Sequence, residues 1–145
     1  MSTPQASIER HPDILALRAS YERAAESGAA QATFGLTMLA GLYAAASPWI
    51  VGFGVTTNLA INDLIVGITI AVLAMGLGVA LDRSHGLAWT LPLLGIWLII
   101  SPWVVNNVSV SAGTAWSNVL IGVATLLLGV GATYFGVQAR QVTQR

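Results

Sequence analysis

The amino-acid sequence predicts an all-α membrane protein. It reads as four transmembrane helices, built as two parallel helical-hairpin repeats and preceded by an amphipathic N-terminal helix. Three observations carry this. Hydrophobic residues make up 55% of the 145-residue chain and charged residues 8%, with a mean hydropathy of +0.74. A typical soluble domain is about 25% charged, and a domain this small leaves too much of its surface in water to hide so much apolar area. The charged residues are confined to the N-terminal segment, short breaks and the C-terminal tail, with long apolar runs between. The tripeptide Ser-Pro-Trp occurs twice, at matching places in two of those runs.

Residues 1–28 form the first segment, taken as cytoplasmic or interfacial. Pro12 at the first helical position and Asp13 in the first turn mark a helix start. Ile14, Leu17, Tyr21 and Ala24 share one face, and Arg18 and Glu22 stand four residues apart on another. Ser27-Gly28 is expected to stop or bend this helix, which then lies along the membrane interface or docks on a partner. A solvated helix packed on nothing is the alternative. The late first apolar run and the acidic residues before it do not fit a secretory signal, so the N-terminus is expected to be retained.

No Asp, Glu, Lys or Arg occurs between Glu26 and Asp63, between Asp63 and Asp82, or between Arg83 and Arg140. A span needs about 20 apolar residues, and four fit, at about 32–54, 62–81, 87–106 and 116–137. Backbone polar groups in hydrocarbon need internal partners, so each span should be helical. The first repeat occupies residues 29–84, the second 85–138, and 139–145 is a cytoplasmic tail. Arg10, Arg18 and Arg23 precede the first span, Arg83 lies between the second and third, and Arg140 and Arg145 follow the fourth. The positive-inside rule places both termini and the middle loop in the cytoplasm.

The repeat extends beyond the tripeptide. Ser47-Pro48-Trp49 returns as Ser101-Pro102-Trp103 at an offset of 54 residues, which also pairs Gly41 with Gly95 and Tyr43 with Trp97. After the loop the offset becomes 55, pairing Asn62 with Ser117, Asp63 with Asn118 and Gly67 with Gly122. Each copy is a pair of spans, so the copies run parallel, related by an approximate two-fold axis along the membrane normal. The doubled, in-register tripeptide resembles the SPW repeat family of small prokaryotic membrane proteins. The start His11 to Ala24 is similar to the N-terminal segment of actinobacterial members, and the likeness covers about residues 11–137. The resemblance implies a multi-pass protein of the prokaryotic inner membrane and carries over no catalytic residues.

Physically, proline lacks an N–H and clashes with the carbonyl four residues back. Pro48 and Pro102 should kink or end their spans near the outer surface, with the hydroxyls of Ser47 and Ser101 helping to satisfy freed backbone groups. Trp49, Trp103 and Trp116 then sit at headgroup level on the outer side, and Trp89 marks the inner edge. The sharper alternative is that the two kinks line an outward-facing pocket for a lipid, quinone or partner. Asn62 and Ser117 are expected helix N-caps, with Asp63 and Asn118 in the first turns. Asp63 is the acid on the outer side; capping is preferred over binding a cation or proton, and its counterpart Asn118 excludes a two-carboxylate site. Stripes of small residues, Gly67, Ala71, Ala74 and Gly78 in one span and Gly122, Gly129, Thr133 and Gly136 in another, read as packing surfaces between repeats or subunits.

The chain has no cysteine, which excludes disulfides and thiolate metal sites. His11 and His85 are its histidines, both placed on the cytoplasmic side and read as loop residues, so no metal or cofactor site is expected. Zero net charge gives no reason to expect nucleic acid. Asn107-Val108-Ser109 matches a glycosylation acceptor, but its closeness to the membrane argues against use. No nucleophile and base stand together, so no enzyme is expected. The preferred role is a structural or accessory component that contacts membrane lipids and packs with other membrane proteins or as a homo-oligomer. A small transporter, channel or binder of a lipophilic ligand is second, because polar groups at mid-membrane depth are limited to Thr69, Thr125, Thr133 and Tyr43.

Overall fold

The computed structural model describes residues 11–52, 57–80, 85–105 and 110–143; side chains at 17–18, 20–27, 85 and 139–143 are outside the description. The arginines used for orientation and the Asn107-Val108-Ser109 sequon fall in these excluded parts. The described chain is helical, without strands: α1 (Pro12–Ser47), a π-helical turn (Pro48–Gly52), α2 (Asn58–Val79), a 3₁₀ turn (His85–Leu87), α3 (Thr90–Val105) and α4 (Ala112–Thr143).

Helix α1 begins as its sequence suggests, with Pro12 in the first turn, Asp13 behind it, and the His11 ring nitrogen accepting from the Asp13 N–H. It does not stop at Ser27-Gly28. One glycine in a helix interior costs only about 1 kcal/mol relative to alanine, and the neighbouring pairs Ala24-Ala25 and Ala29-Ala30 favour the helix. The result is one unbroken helix of 36 residues, about 54 Å at 1.5 Å per residue. Its end is set by Pro48, where the chain passes into the π-helical turn. Gly52 closes that turn at φ +84°, a left-handed conformation that favours glycine.

Among the described residues, three helices are long and apolar enough to cross a membrane, over Gly28–Gly52, Asn58–Val79 and Ala112–Gln138. The fourth apolar helix, α3, has 16 residues, about 24 Å. It is shorter than the run 87–106 that hydropathy outlines, because the chain before Thr90 is taken up by the 3₁₀ helix and a turn at Ala88-Trp89. Pro102 does not end α3, which continues to Val105.

Helix α1 packs along α2 and α3 along α4. The two hairpins join through α1 against α4 and, less extensively, α2 against α3. The helices thus follow one another round the bundle in chain order. Phe34, Ala44, Val66, Ile70, Leu77, Leu91, Leu98 and Ala132 form the buried core.

Close approach of backbones holds each hairpin. A Cβ built on Gly41 would stand 2.7 Å from the Gly67 carbonyl, and one on Gly67 would stand 2.5 Å from that of Gly41. Gly95 and Gly122 repeat this contact in the second hairpin, at 2.9 and 2.8 Å. Gly129 lies against Leu91 and Pro92, also within its repeat, and Gly78 faces Gln31 and Phe34 of α1. Gly67, Gly78, Gly122 and Gly129 are therefore packed inside repeats, a correction to the expectation of contacts between repeats or subunits. The stripe shows that a close partner exists, and the short loops make the neighbouring helix that partner. Ala74 and Gly136 are buried.

Candidate functional site

The two Ser-Pro-Trp copies share one local solution. Pro48 removes the N–H that would serve the Ala44 carbonyl, and the Ser47 hydroxyl donates to that carbonyl at 2.8 Å. Pro102 does the same to Leu98, and the Ser101 hydroxyl donates to it at 3.0 Å. Serine before proline is thus a hydroxyl placed where an amide is missing. Ser47, Pro48, Ser101 and Pro102 are buried, whereas Trp49 and Trp103 are exposed on the bundle exterior. Trp89 and Trp116 are exposed too, as membrane-interface anchors should be.

The expected caps are not caps. Helix α2 starts at Asn58, where the Thr57 hydroxyl accepts from the Ala60 N–H. Helix α4 starts at Ala112, where the Ser111 hydroxyl accepts from the Thr114 N–H. Asn62, Asp63, Ser117 and Asn118 therefore lie more than a turn inside their helices. Their polarity at the edge of an apolar run resembles a helix start, but it serves contacts between helices.

Those contacts form a buried polar cluster. Asn118 Nδ2 donates to Asp63 Oδ1 at 3.2 Å and reaches Ser101 Oγ at 3.3 Å. Asn62 Nδ2 donates to the same Asp63 oxygen at 3.2 Å. The Trp97 indole N–H donates to Asn62 Oδ1 at 2.9 Å, linking α3 to α2. Tyr43 and Ser117 hydroxyls meet at 3.4 Å, linking α1 to α4. These last two bonds are equivalents: Tyr43 matches Trp97 and Asn62 matches Ser117. The repeat keeps a polar link at the same place with different residues. Asp63 and Asn118 are also equivalents, and because they touch each other they lie at the axis that relates the repeats.

Asp63 is 1% exposed and Asn118 fully buried. Among the described residues, Asp63 Oδ2 and Asn118 Oδ1 have no hydrogen-bond partner. Thr125, on the same face of α4 two turns on, is buried with its hydroxyl also unpartnered. Thr69 and Thr133 instead donate to carbonyls of their own helices, at Ile65 and Gly129. Among the described residues no group of three or more His, Asp or Glu side chains could hold a metal ion.

The geometry defines a class: a small multi-pass α-helical membrane protein with an internal repeat and an apolar exterior. The SPW repeat domain matches residues 31–132, most of the chain, and the protein belongs to that family. No curated protein and no solved structure matches it.

Proposed function

We propose that this chain is a non-catalytic structural or accessory protein of the prokaryotic inner membrane, with both termini in the cytoplasm. One observation carries the reading: α1 is a single helix in which the apolar span Gly28–Gly52 continues back without a break to Pro12. An unbroken helix makes the 12–27 segment a rigid extension of the bundle, about 24 Å long. Such an extension suits docking on a neighbouring membrane protein or a second copy better than lying flat among headgroups. Many large apolar and aromatic side chains along the four helices are exposed, which suits contact with lipid and with apolar partner helices.

The arginine distribution supports the orientation. Single cysteines at residues 3, 55, 84, 108 and 144 of this cysteine-free chain test it in intact cells. Labelling by an impermeant reagent is expected at 55 and 108 alone. The docking reading is tested by native size and partner identification after gentle extraction of the full chain and of a chain lacking residues 2–27. A stoichiometric partner lost on truncation, with the bundle still helical, is the expected result. A full chain that runs as a lone monomer overturns it.

A transporter, channel or lipophilic-ligand binder is the second reading. The buried Asp63–Asn118 cluster favours it, since ionisable residues inside membrane helices are costly and mark function.

A further inference from the structure

Asp63 stands inside α2, and its spans hold no lysine or arginine to balance it. An ionised carboxylate removed from water without a counter-charge is strongly unfavourable. The amide donors of Asn62 and Asn118 both converge on Oδ1, leaving Oδ2 buried and unpartnered. Beside it, Asn118 has spent its N–H groups on Asp63 and Ser101, and its carbonyl oxygen is likewise buried and unpartnered. Two hydrogen-bond acceptors without a donor, next to a negative charge, call for something positive and small.

We propose that Asp63 Oδ2 and Asn118 Oδ1 bind one small monovalent cation, a proton or a sodium-sized ion, at the repeat axis of the bundle. A proton sits on Oδ2 and is donated to Oδ1; a sodium-sized ion is ligated by both oxygens. Both forms cancel the charge and satisfy both acceptors. The neighbouring groups leave the site to Asp63. From α1 comes Tyr43, which faces Ser117; α3 contributes Trp97 and Ser101, and α4 Ser117 and Asn118, none of them an Asp, Glu, His, Lys or Arg. The asymmetry is what creates the site: an asparagine at both equivalent positions would bring donors enough to pair without an ion.

The test uses the full-length protein in lipid–detergent micelles and follows its unfolding. Sodium chloride is exchanged for N-methylglucamine chloride at constant ionic strength, and pH is varied separately. If the ion is sodium-sized, the unfolding equilibrium moves about tenfold towards the folded state for each tenfold rise in sodium above the dissociation constant. If it is a proton, the same shift follows each unit fall in pH below the folded-state pKa of Asp63, until the unfolded chain binds the proton too, and sodium has no effect. Asp63→Asn is expected to abolish whichever response the wild type shows. Equal responses of wild type and D63N to both variables overturn the proposal. Should D63N fail to fold, ¹³C-aspartate labelling of the wild type reads Asp63 directly, with Asp13→Asn and Asp82→Asn assigning the other two carboxyl signals. A carboxyl signal for Asp63 that ignores sodium and does not follow the pH dependence of folding overturns it equally.

Discussion

Trp97 and Asn62 are joined by an indole-to-amide hydrogen bond of 2.9 Å that ties the second hairpin to the first across α3 and α2. Trp97→Phe keeps the ring and removes the donor, leaving a partly buried amide oxygen unpaired. The expected loss is about 1–2 kcal/mol, read by reversible unfolding in mixed micelles. Tyr43→Phe breaks the equivalent link, which is longer at 3.4 Å, and is expected to cost less.

The serine–proline relationship predicts a rescue. Ser101→Ala strips the Leu98 carbonyl of its hydroxyl donor and Asn118 of an acceptor, with an expected cost of about 1–3 kcal/mol. Pro102→Ala supplies the missing amide N–H. Ser101→Ala made in that background is therefore expected to be cheaper than in the wild type, and a double-mutant cycle measures the difference. Ser47→Ala in the first repeat should cost less than Ser101→Ala, because Ser47 serves Ala44 without an Asn118-like contact.

Glycines in α-helices here divide into two kinds. Gly41→Ala or Gly122→Ala places a Cβ within 3 Å of the facing backbone and forces the hairpin apart, at a cost of about 1–3 kcal/mol. Gly35→Ala meets nothing within 4 Å and is expected to leave stability unchanged or raise it by up to about 1 kcal/mol. Thermal unfolding of the three variants side by side checks the contrast.

The four exposed tryptophans predict a depth pattern. In single-tryptophan variants, Trp49, Trp103 and Trp116 should be quenched strongly by lipids brominated near the headgroup and weakly by those brominated at the tail end. Trp89 should behave alike from the opposite leaflet. Trp97, half-buried and hydrogen-bonded, should respond least to either.

Much of the fold was legible because hydropathy reports the solvent a segment faces. The apolar runs and the 54- and 55-residue offsets located the helices and the repeat, and Ser47 and Ser101 were expected to mend the backbone beside proline. Register was harder. Thr57 and Ser111, the caps in the structure, stand in polar loops where nothing marks one residue above its neighbours. Asn62 and Ser117 were mistaken for caps because a polar residue at the rim of an apolar run has two explanations, the end of a helix or the inside of a bundle. The signal that separates them was present. Tyr43 and Trp97, like Asn62 and Ser117, are equivalent positions that both keep a polar tip within apolar surroundings. A matched pair of hydrogen bonds between the repeats accounts for that; a cap does not. Partners of the small-residue stripes were beyond the sequence, since a stripe shows closeness without naming the neighbour.

The shortness of α3 has a consequence for the bilayer itself. Its 16 residues give a wall of about 24 Å, against roughly 30 Å of hydrocarbon. Leu87 and Trp89, exposed ahead of it, widen the apolar band without lengthening the helix. The longer α1, α2 and α4 meet lipid tails at full thickness. A bilayer around the bundle is therefore expected to thin beside α3 and stay level on the other flank, at a fraction of a kcal/mol per Å of mismatch. Lipids with shorter tails, or another protein with a short helix, relieve that local strain, so the α3 flank carries a built-in preference for its surroundings.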